Sequence, residues 1–230
     1  MTIRNLNADL GYHLEDQILR PCPVIPSGCF LRCVRVDELV SDERSFADAQ
    51  VRLPEWRRRK CEAMRFVADR YRSAAAGLLL LAVLEEAGLK TSGLTVREND
   101  FGKPYFPERP EVYFSLSHGG DRVMAAVADR PVGCDVERIE FVDEELMAAC
   151  LTDEERALIR GLSSDEARHE AFFRLWVRKE SYVKARGRGW DGGPAAFSVC
   201  DGMLPSGWIF QDFAFADGHV ASLCLRAREA

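Results

Sequence analysis

Two short segments, one with the periodicity of a strand and one with that of a helix, constrain this fold most. In residues 132–139 (VGCDVERI) a period of two places Asp135 and Glu137 on one face of a strand. In residues 175–184 (LWVRKESYVK) a spacing of four places Glu180 and Lys184 on one face of a helix. Three carboxylates and a lysine brought together would suit a hard cation beside a phosphate. The pattern therefore indicates phosphoryl-transfer chemistry.

Each of these segments also has a plainer interpretation. An exposed edge strand shows the same alternation as Asp135 and Glu137, and Glu180 with Lys184 is a common surface ion pair on a helix. The metal-site interpretation requires a bound cation, because carboxylates gathered in one site repel each other without one. The surface interpretation requires none. Oxygen ligands favour Mg²⁺ or Mn²⁺ over zinc.

The composition is that of a soluble globular protein with a real core. The chain has 230 residues, a hydrophobic content of 47% and a net charge of −6, which argues against general nucleic-acid binding. Residues 52–72 nevertheless carry eight Arg or Lys against three acids, a basic patch that is either a solvated helix face or a phosphate site.

Cysteine usage and hydropathy point to a reducing, cytoplasmic location. Eight cysteines include no C-x-x-C pair, so neither a zinc cluster nor a disulfide framework is expected. Residues 1–20 carry several acids and lack the apolar core of a signal peptide. The apolar run 74–84 is about half the length that a bilayer requires and predicts a buried helix.

Hydrophobic periodicity and turn residues predict alternating strands and helices, hence an α+β fold. The predicted strands are 29–36, 111–117, 122–128, 132–139 and segments of 195–225, with Pro21, Pro23 and Pro26 before the first. The predicted helices run from Glu55 to about Leu89, from a Thr152–Glu155 capping box to Gly161, and over 165–185. A loop is expected from Asn99 to Pro110. This order predicts two α+β subdomains, 1–130 and 131–230, with a boundary near 129–132.

Two turn-rich segments add candidate anion-binding groups. Ser115-Leu-Ser-His118-Gly-Gly120 follows a predicted strand, and its glycines leave backbone N–H groups open to an anion. A lone histidine is nevertheless more often structural or simply solvated. Residues 101–105 (FGKPY) could be merely a turn.

Taken together, four of these segments resemble the Sfp-type 4′-phosphopantetheinyl transferases. They are F-G-K-P at 101–104, F-S-L-S-H at 114–118, G-C-D-V-E at 133–137 and W-V-R-K-E-S-Y-V-K at 176–184, in the family's order and spacing. The similarity spans roughly residues 55–199. It implies a pseudo-twofold molecule of two similar halves, with the active site and coenzyme A in the cleft between them. A monomer suffices for such an architecture, and neither nucleic acid nor a membrane is an expected partner.

The resemblance also implies a role for each matched position. The implied metal ligands are Asp135, Glu137 and Glu180, and the implied catalytic residues are Glu180, Lys184 and His118. The implied coenzyme A contacts are Arg57, Lys60, Arg72, Gly102, Lys103, Pro104, Ser117, His118 and Lys184. Arg57 stands where a lysine is common in the family, which exchanges a point charge for a fork of donors. Lys179 belongs to the fourth motif, but its position shows no duty.

The implied reaction transfers the phosphopantetheine arm of coenzyme A to a serine of an apo acyl or peptidyl carrier protein. Mg²⁺ neutralises the pyrophosphate, 3′,5′-ADP departs, and Glu180 acts as base directly or through a metal-bound water. Two other functions fit the acids and the lysine. One is a metal-dependent phosphohydrolase that needs no protein acceptor. The other is a non-catalytic module that binds coenzyme A or another anion.

Overall fold

A computed structural model of the chain describes residues 25–228. The predictions about Pro21, Pro23 and the segment 1–20 therefore lie outside the described residues. None of the helices between residues 25 and 228 is long and apolar enough to cross a membrane.

Strands and helices alternate along the described chain, which confirms a mixed α+β fold. The first half contains β1 (Cys29–Arg35), α1 (Glu43–Arg52), α2 (Glu55–Glu62), α3 (Val67–Glu86), β2 (Arg97–Glu98), β3 (Pro104–Tyr105), β4 (Tyr113–Gly119) and β5 (Arg122–Ala128). The second half contains β6 (Val132–Arg138), α4 (Glu144–Cys150), α5 (Asp153–Arg160), α6 (Asp165–Arg186), β7 (Trp208–Phe215) and β8 (His219–Arg226). Short 3₁₀ turns occupy Val36–Glu38 and Pro194–Ala196.

The two halves repeat one order of elements. Each has a strand, two short helices, a long helix and then a β-hairpin. Each half also forms a three-stranded antiparallel sheet in which the hairpin's second strand is central, in the orders β1-β5-β4 and β6-β8-β7. A small ladder pairs β2 with β3.

The apolar residues of the central strands arrange the molecule in four layers. One face of β5 packs with α3 in the first core, which includes Val123 and Ala125. The other faces of β1 and β5 pack against β6 and β8, and residues such as Leu31, Val136 and Leu223 fill that second core. The long helix α6 covers β6 and β8 from the far side. The layers are thus α3, first sheet, second sheet and α6.

The predicted continuous helix from Glu55 to about Leu89 is wrong, because the chain breaks between α2 and α3. Phe66 has extended dihedral angles, and the backbone then turns so that α2 packs on α3. The contact is close at Gly77, where a Cβ would lie 2.6 Å from Leu53 and 2.7 Å from Arg57. Side-chain packing that depends on this glycine decides the break, and periodicity carries no sign of it.

The predicted strands in 195–225 are right only for its C-terminal part, β7 and β8. Residues 197–207 are irregular because side chains of the second half bind their backbone. Arg178 Nη1 donates to the Val199 carbonyl at 2.8 Å, and the Val199 N–H donates to Glu155 Oε1 at 2.9 Å. Lys179 Nζ donates to the Phe197 carbonyl. These bonds replace a ladder partner, so the segment needs no neighbouring strand.

The contact between β6 and α6 also depends on a glycine. A Cβ on Gly133 would lie 2.0 Å from the Ser181 carbonyl oxygen and 2.4 Å from the Ala185 nitrogen. Real Cβ atoms do not approach backbone so closely, so only glycine lets the strand lie directly on the helix. The last turn of α6 is thereby brought against the strand that carries Asp135.

We expect Gly133→Ala to destabilise the protein by about 1–3 kcal/mol, because the added methyl forces the strand and helix apart. Gly161→Ala is the matched control, since Gly161 has an ordinary negative φ and its nearest atom would be 3.3 Å away. Chemical denaturation of both variants measures the difference. Equal stability for Gly133→Ala and the parent chain would contradict the proposed role of this contact.

Candidate active site

The centre of the site is a buried contact among three elements. Lys184 Nζ on α6 donates to Asp135 Oδ1 on β6 at 2.6 Å, and Ser117 Oγ on β4 donates to the same oxygen at 2.6 Å. Lys184 Nζ also lies 3.1 Å from Ser117 Oγ. Asp135 is only 2% exposed. The exposed-strand interpretation is therefore wrong for Asp135, and Lys184 reaches this carboxylate rather than forming a surface pair with Glu180.

Two opposing effects determine whether the Lys184 ammonium is charged. Burial alone would favour its neutral form, but the Asp135 carboxylate raises the pKa of Lys184 above its ordinary value. The ammonium consequently stays charged. The Lys184 side chain extends from the last turn of α6. The helix ends at Gly187, which has a left-handed conformation with a φ of +64°. Lys184 also lines the neighbouring cavity.

Two further carboxylates, Glu137 on β6 and Glu180 on α6, lie close enough to Asp135 and Lys184 to interact with both charges. Burial and then the negative charge of Asp135 raise the pKa of Glu137 to about 8. Burial also raises the pKa of Glu180, with the Asp135 charge adding to it and the Lys184 charge opposing it. Both acids therefore lack enough positive charge around them. Asp135 Oδ2, moreover, is buried without a hydrogen-bond partner.

These features fit an oxygen-ligated divalent cation, although the three carboxylates are not yet gathered as a set of ligands. Within residues 25–228, the group whose ligand atoms all lie within 4.8 Å of one another is instead Asp121, Asp217 and His219. The unpaired Asp135 oxygen and the all-oxygen donor set are what a hard cation requires.

A cavity of about 500 Å³ adjoins this centre and is lined by both halves of the molecule. Its charged lining consists of four cations and one acid, namely Arg57, Lys60, Lys103, Lys184 and Glu98. Its apolar walls include Trp56 and Phe101. Phe101 opens the F-G-K-P motif, whereas no sequence pattern indicated Trp56, since an isolated aromatic residue in a basic segment has no periodic signal.

The loop at 99–105 is fixed to the end of α6 by a residue that the sequence interpretation missed. Asn99 Oδ1 accepts from the Phe101 and Lys103 N–H groups at 3.0 and 2.9 Å, and its Nδ2 donates to the Gly187 carbonyl at 2.8 Å. Gly102 has a φ of +78°, so a side chain there would strain the turn. An Asn at the start of a Gly-Pro loop is a known turn signal, and it could have identified the two local bonds from the Phe101 and Lys103 N–H groups.

Lys103 turns from this loop into the protein. Its Nζ donates to the Val132 carbonyl at 2.9 Å, and burial, with the Lys184 charge in addition, lowers the pKa of Lys103 to about 8. Pro104 follows in β3 and lines the cavity beside Gly102. The segment at 101–105 is therefore a wall of the cavity as well as a turn.

The remaining predicted residues lie on the first half. Arg57 is buried and its Nε donates to the Ser73 carbonyl at 2.9 Å. Arg72 Nε donates to the Gly120 carbonyl at 3.0 Å, and its guanidinium also pairs with Asp69. Partial loss of water, then the charges of Lys184, Arg57 and Arg72, lower the pKa of His118. His118 thus lies within the field of three cations, which would also attract an anion.

Comparison with known proteins agrees with this geometry. Residues 131–224 match the model of the 4′-phosphopantetheinyl transferase superfamily, a range that contains Asp135, Glu137, Glu180 and Lys184. The chain is 28% identical over 134 residues to "4′-phosphopantetheinyl transferase Sfp" of Bacillus subtilis (strain 168), covering 58% of this chain and 59% of that protein. These matches confirm the resemblance to the 4′-phosphopantetheinyl transferases, and the range of the family model contains the third and fourth motifs.

Two other relatives are somewhat more similar over comparable lengths. "4′-phosphopantetheinyl transferase gsp" of Aneurinibacillus migulanus is 32% identical over 124 residues, which is 54% of this chain and 51% of that protein. "4′-phosphopantetheinyl transferase psf-1" of Bacillus pumilus is 33% identical over 145 residues, 62% of this chain and 61% of that protein. The chain thus spans between half and about three fifths of the length of these curated relatives.

The raised pKa of Glu137 predicts how stability depends on pH. Between the ordinary value of 4.5 and the folded value of about 8, the folded protein binds more protons at Glu137 than the unfolded chain. We expect the free energy of unfolding, measured without divalent metal, to fall as pH rises through this window. Glu137→Gln should reduce that fall, and Mg²⁺ should oppose it in the parent chain.

The exposed acid Glu145 provides the control, because Glu145→Gln should leave the pH dependence unchanged. Thermal unfolding midpoints from pH 4.5 to 8.5, with and without Mg²⁺, make the comparison. The same pH dependence in Glu137→Gln as in the parent chain would contradict the assignment.

Proposed function

We propose that this chain transfers the phosphopantetheine arm of coenzyme A to a serine of an apo carrier protein, because residues 131–224 match the model of the 4′-phosphopantetheinyl transferase superfamily. The acceptor would be an acyl or peptidyl carrier protein, and 3′,5′-ADP would be released. The observation that carries the proposal is the buried contact of Lys184 with Asp135 beside a cation-lined cavity. Glu137 and Glu180 complete the charged set, and the family match covers all four residues.

The proposed architecture is two pseudo-twofold subdomains, 1–130 and 131–230, with the active site between them. The repeated element order and the identical strand orders of the two sheets support it. The boundary would fall in the short link between β5 and β6. One cavity is lined by α2 and β4 of the first half and by α6 of the second. This shared lining supports an active site in the cleft between the subdomains.

The proposed metal ligands are Asp135, Glu137 and Glu180, holding Mg²⁺ or Mn²⁺. The unpaired Asp135 oxygen and the raised pKa values of both glutamates support this assignment. The bound ion would neutralise charge on the pyrophosphate of coenzyme A. Lys184 would contribute the adjoining fixed positive charge, since its ammonium already lies 2.6 Å from Asp135.

The proposed coenzyme A site follows the cavity from α2 to α6. Lys103 with Gly102 and Pro104 would border the base, while Arg57 and Lys60 would bind phosphate from α2, where both line the cavity. A second set of contacts would surround the phosphates at the hairpin, formed by Arg72, Ser117, His118 and Lys184. The lowered pKa of His118 supports an N–H donor role in which the ring carries no full charge.

The proposed reaction is an in-line displacement at the β-phosphorus of coenzyme A. The carrier serine oxygen forms a bond to that phosphorus, and the bond from phosphorus to the bridging oxygen of the departing 3′,5′-ADP breaks. Glu180 takes the serine proton. Lys184 stabilises the charge that develops on the leaving phosphate.

We also propose that the protein acts as a monomer in a reducing cytoplasm, without nucleic acid or membrane as partner. Seven cysteines in the described part of the chain are buried and unpaired. Burial raises the pKa of several of these thiols, Cys29 and Cys33 to about 12, so they are poor nucleophiles. Such thiols behave as small apolar groups of the core.

The first test is intact-mass spectrometry of apo-carrier proteins incubated with this chain, coenzyme A and Mg²⁺. A gain of about 340 Da on the carrier, lost with EDTA, is expected from transfer of one phosphopantetheine arm. Hydrolysis of coenzyme A without any carrier gain would instead favour a phosphohydrolase. Binding of coenzyme A without turnover would favour a non-catalytic module.

Single substitutions test the residue roles. We expect Glu180→Gln and Lys184→Ala each to lower kcat at least a hundredfold, because one removes the base and the other the fixed cation beside the phosphate. Glu166→Gln, on the exposed first turn of the same helix, is the control and should retain activity. Circular dichroism checks that the fold persists. Turnover like that of the parent chain in either variant would remove that residue from the mechanism.

A further inference from the structure

The two β-hairpins, one from each half, meet at their turns. The turn at Gly120–Asp121 joins β4 to β5, and the turn at 216–218 joins β7 to β8. Each turn carries an aspartate, Asp121 or Asp217. The strand after each turn begins with a basic side chain, Arg122 in β5 and His219 in β8. Corresponding positions of the repeated order therefore hold corresponding chemistry.

These residues exchange contacts between the halves, and we call the four of them the hairpin clamp. Arg122 Nη2 lies 2.7 Å from Asp217 Oδ2, and Arg122 Nε donates to the same oxygen at 2.9 Å. In the reverse direction, His219 Nε2 lies 3.2 Å from Asp121 Oδ1, a close contact without hydrogen-bond geometry. His219 Nδ1 also lies 3.0 Å from Asp217 Oδ1, which joins the two pairs.

Two members of the clamp, His219 and Arg122, are largely withdrawn from water, whereas the Asp121 and Asp217 side chains are 43% and 29% exposed. His219 is 1% exposed, and the Arg122 side chain is 14% exposed, with its guanidinium 4.1 Å from the centre of the Phe215 ring. Loss of Asp217 would leave the mostly buried Arg122 guanidinium without its carboxylate, which costs more than loss of a fully exposed pair.

Although Asp121, Asp217 and His219 have the spacing of a metal site, positive charge is already supplied there. Arg122 binds Asp217, and Arg35 Nη2 lies 3.2 Å from Asp121 Oδ2. A divalent cation would have to compete with two guanidinium groups for the same carboxylates. The geometry therefore favours an ion-pair clamp over a cation site.

The clamp acts on the turn that follows His118. A Cβ on Gly120 would lie 2.5 Å from His219 Nε2, and a Cβ on Gly119 would lie 2.2 Å from the Val136 carbonyl oxygen. The turn is thus packed directly on β8 and β6 of the other half. The Gly120 carbonyl in turn accepts from Arg72 Nε at 3.0 Å.

From this chain of contacts we propose that Asp217 and His219 are positioning residues. They hold the turn from His118 to Asp121 against the second half, and through it they set His118 and Arg72 on the first half opposite Lys184. Neither residue touches the proposed substrate. The consequence for ligand binding rests on the proposed function, but the positioning itself does not.

The ligand-free test is an NMR titration of the His118 ring in Asp217→Asn. Removal of a carboxylate would by itself lower the pKa of a nearby histidine. His118 is already exposed, but release of the turn still has the opposite sign, because it moves His118 away from the Lys184, Arg57 and Arg72 charges that lower its pKa. We expect the His118 pKa to rise in Asp217→Asn. A fall or no change would overturn the proposal.

Asp129→Asn is the matched control. Asp129 also pairs with an arginine of the second half, Arg228 at 2.6 Å, but it follows β5 at the end opposite the clamp. The His118 pKa should not change in this variant, and a rise equal to that in Asp217→Asn would overturn the proposal. His219→Gln provides a second route if Asp217→Asn fails to fold, and the same rise is expected there.

Calorimetry with adenosine 3′,5′-bisphosphate tests the consequence for binding. We expect Asp217→Asn to weaken binding roughly tenfold, and to weaken it much less in a chain that already carries Arg72→Ala. Fully additive losses would overturn action through Arg72. If the parent chain binds no bisphosphate, the proposed function fails, while the His118 titration still decides the role of the clamp.

Discussion

The close contact between β6 and α6 is the constraint on which the rest of the site depends. Gly133 lets the Ser181 and Ala185 backbone approach the strand, and two positions further along β6 Asp135 then meets Lys184 at 2.6 Å. A longer separation would leave a buried carboxylate without its cation, which is among the most costly arrangements in a protein interior. The glycine and the ion pair are therefore parts of one requirement.

Charged residues on successive positions of α6 serve two distinct purposes. Lys179 is wholly buried and pairs with Glu155 at 2.9 Å, while Arg178 pairs with Asp212 at 2.6 Å. These two bonds fix the helix and the irregular segment before β7. Glu180 and Lys184, on another face, are directed to the site. A helix anchored by two buried pairs can present its next charged residue with little freedom.

The partners of Arg178 and Lys179 explain why their roles were not predictable from the motif. Glu155 was recognised only as the second residue of a capping box, which the structure confirms at Thr152. That it also receives a buried ammonium depends on how α5 packs beside α6, for which sequence spacing gives no signal. Local bonds, such as a cap, are encoded by neighbouring residues. Tertiary pairs are encoded by the whole fold.

The same distinction separates the accurate from the inaccurate parts of the fold prediction. The strand 122–128 and the helix that begins near Asp165 were predicted closely, because each combines a clear period with turn or cap residues at its ends. The break before Val67 was missed because it depends on packing at Gly77. Asn99 was placed in a loop, but its bond to Gly187 crosses from one half of the chain to the other.

The charges of the site lead to a final physical point. A carboxyl whose pKa is raised to about 8 by burial and by a neighbouring carboxylate makes the folded state less stable at neutral pH. A fold selected for stability alone would replace such a residue with an apolar one of similar size. Its presence beside an unpaired Asp135 oxygen fits the proposed cation, which would compensate both groups as it displaced the proton. Cation affinity, proton release and stability would then be linked through one strand.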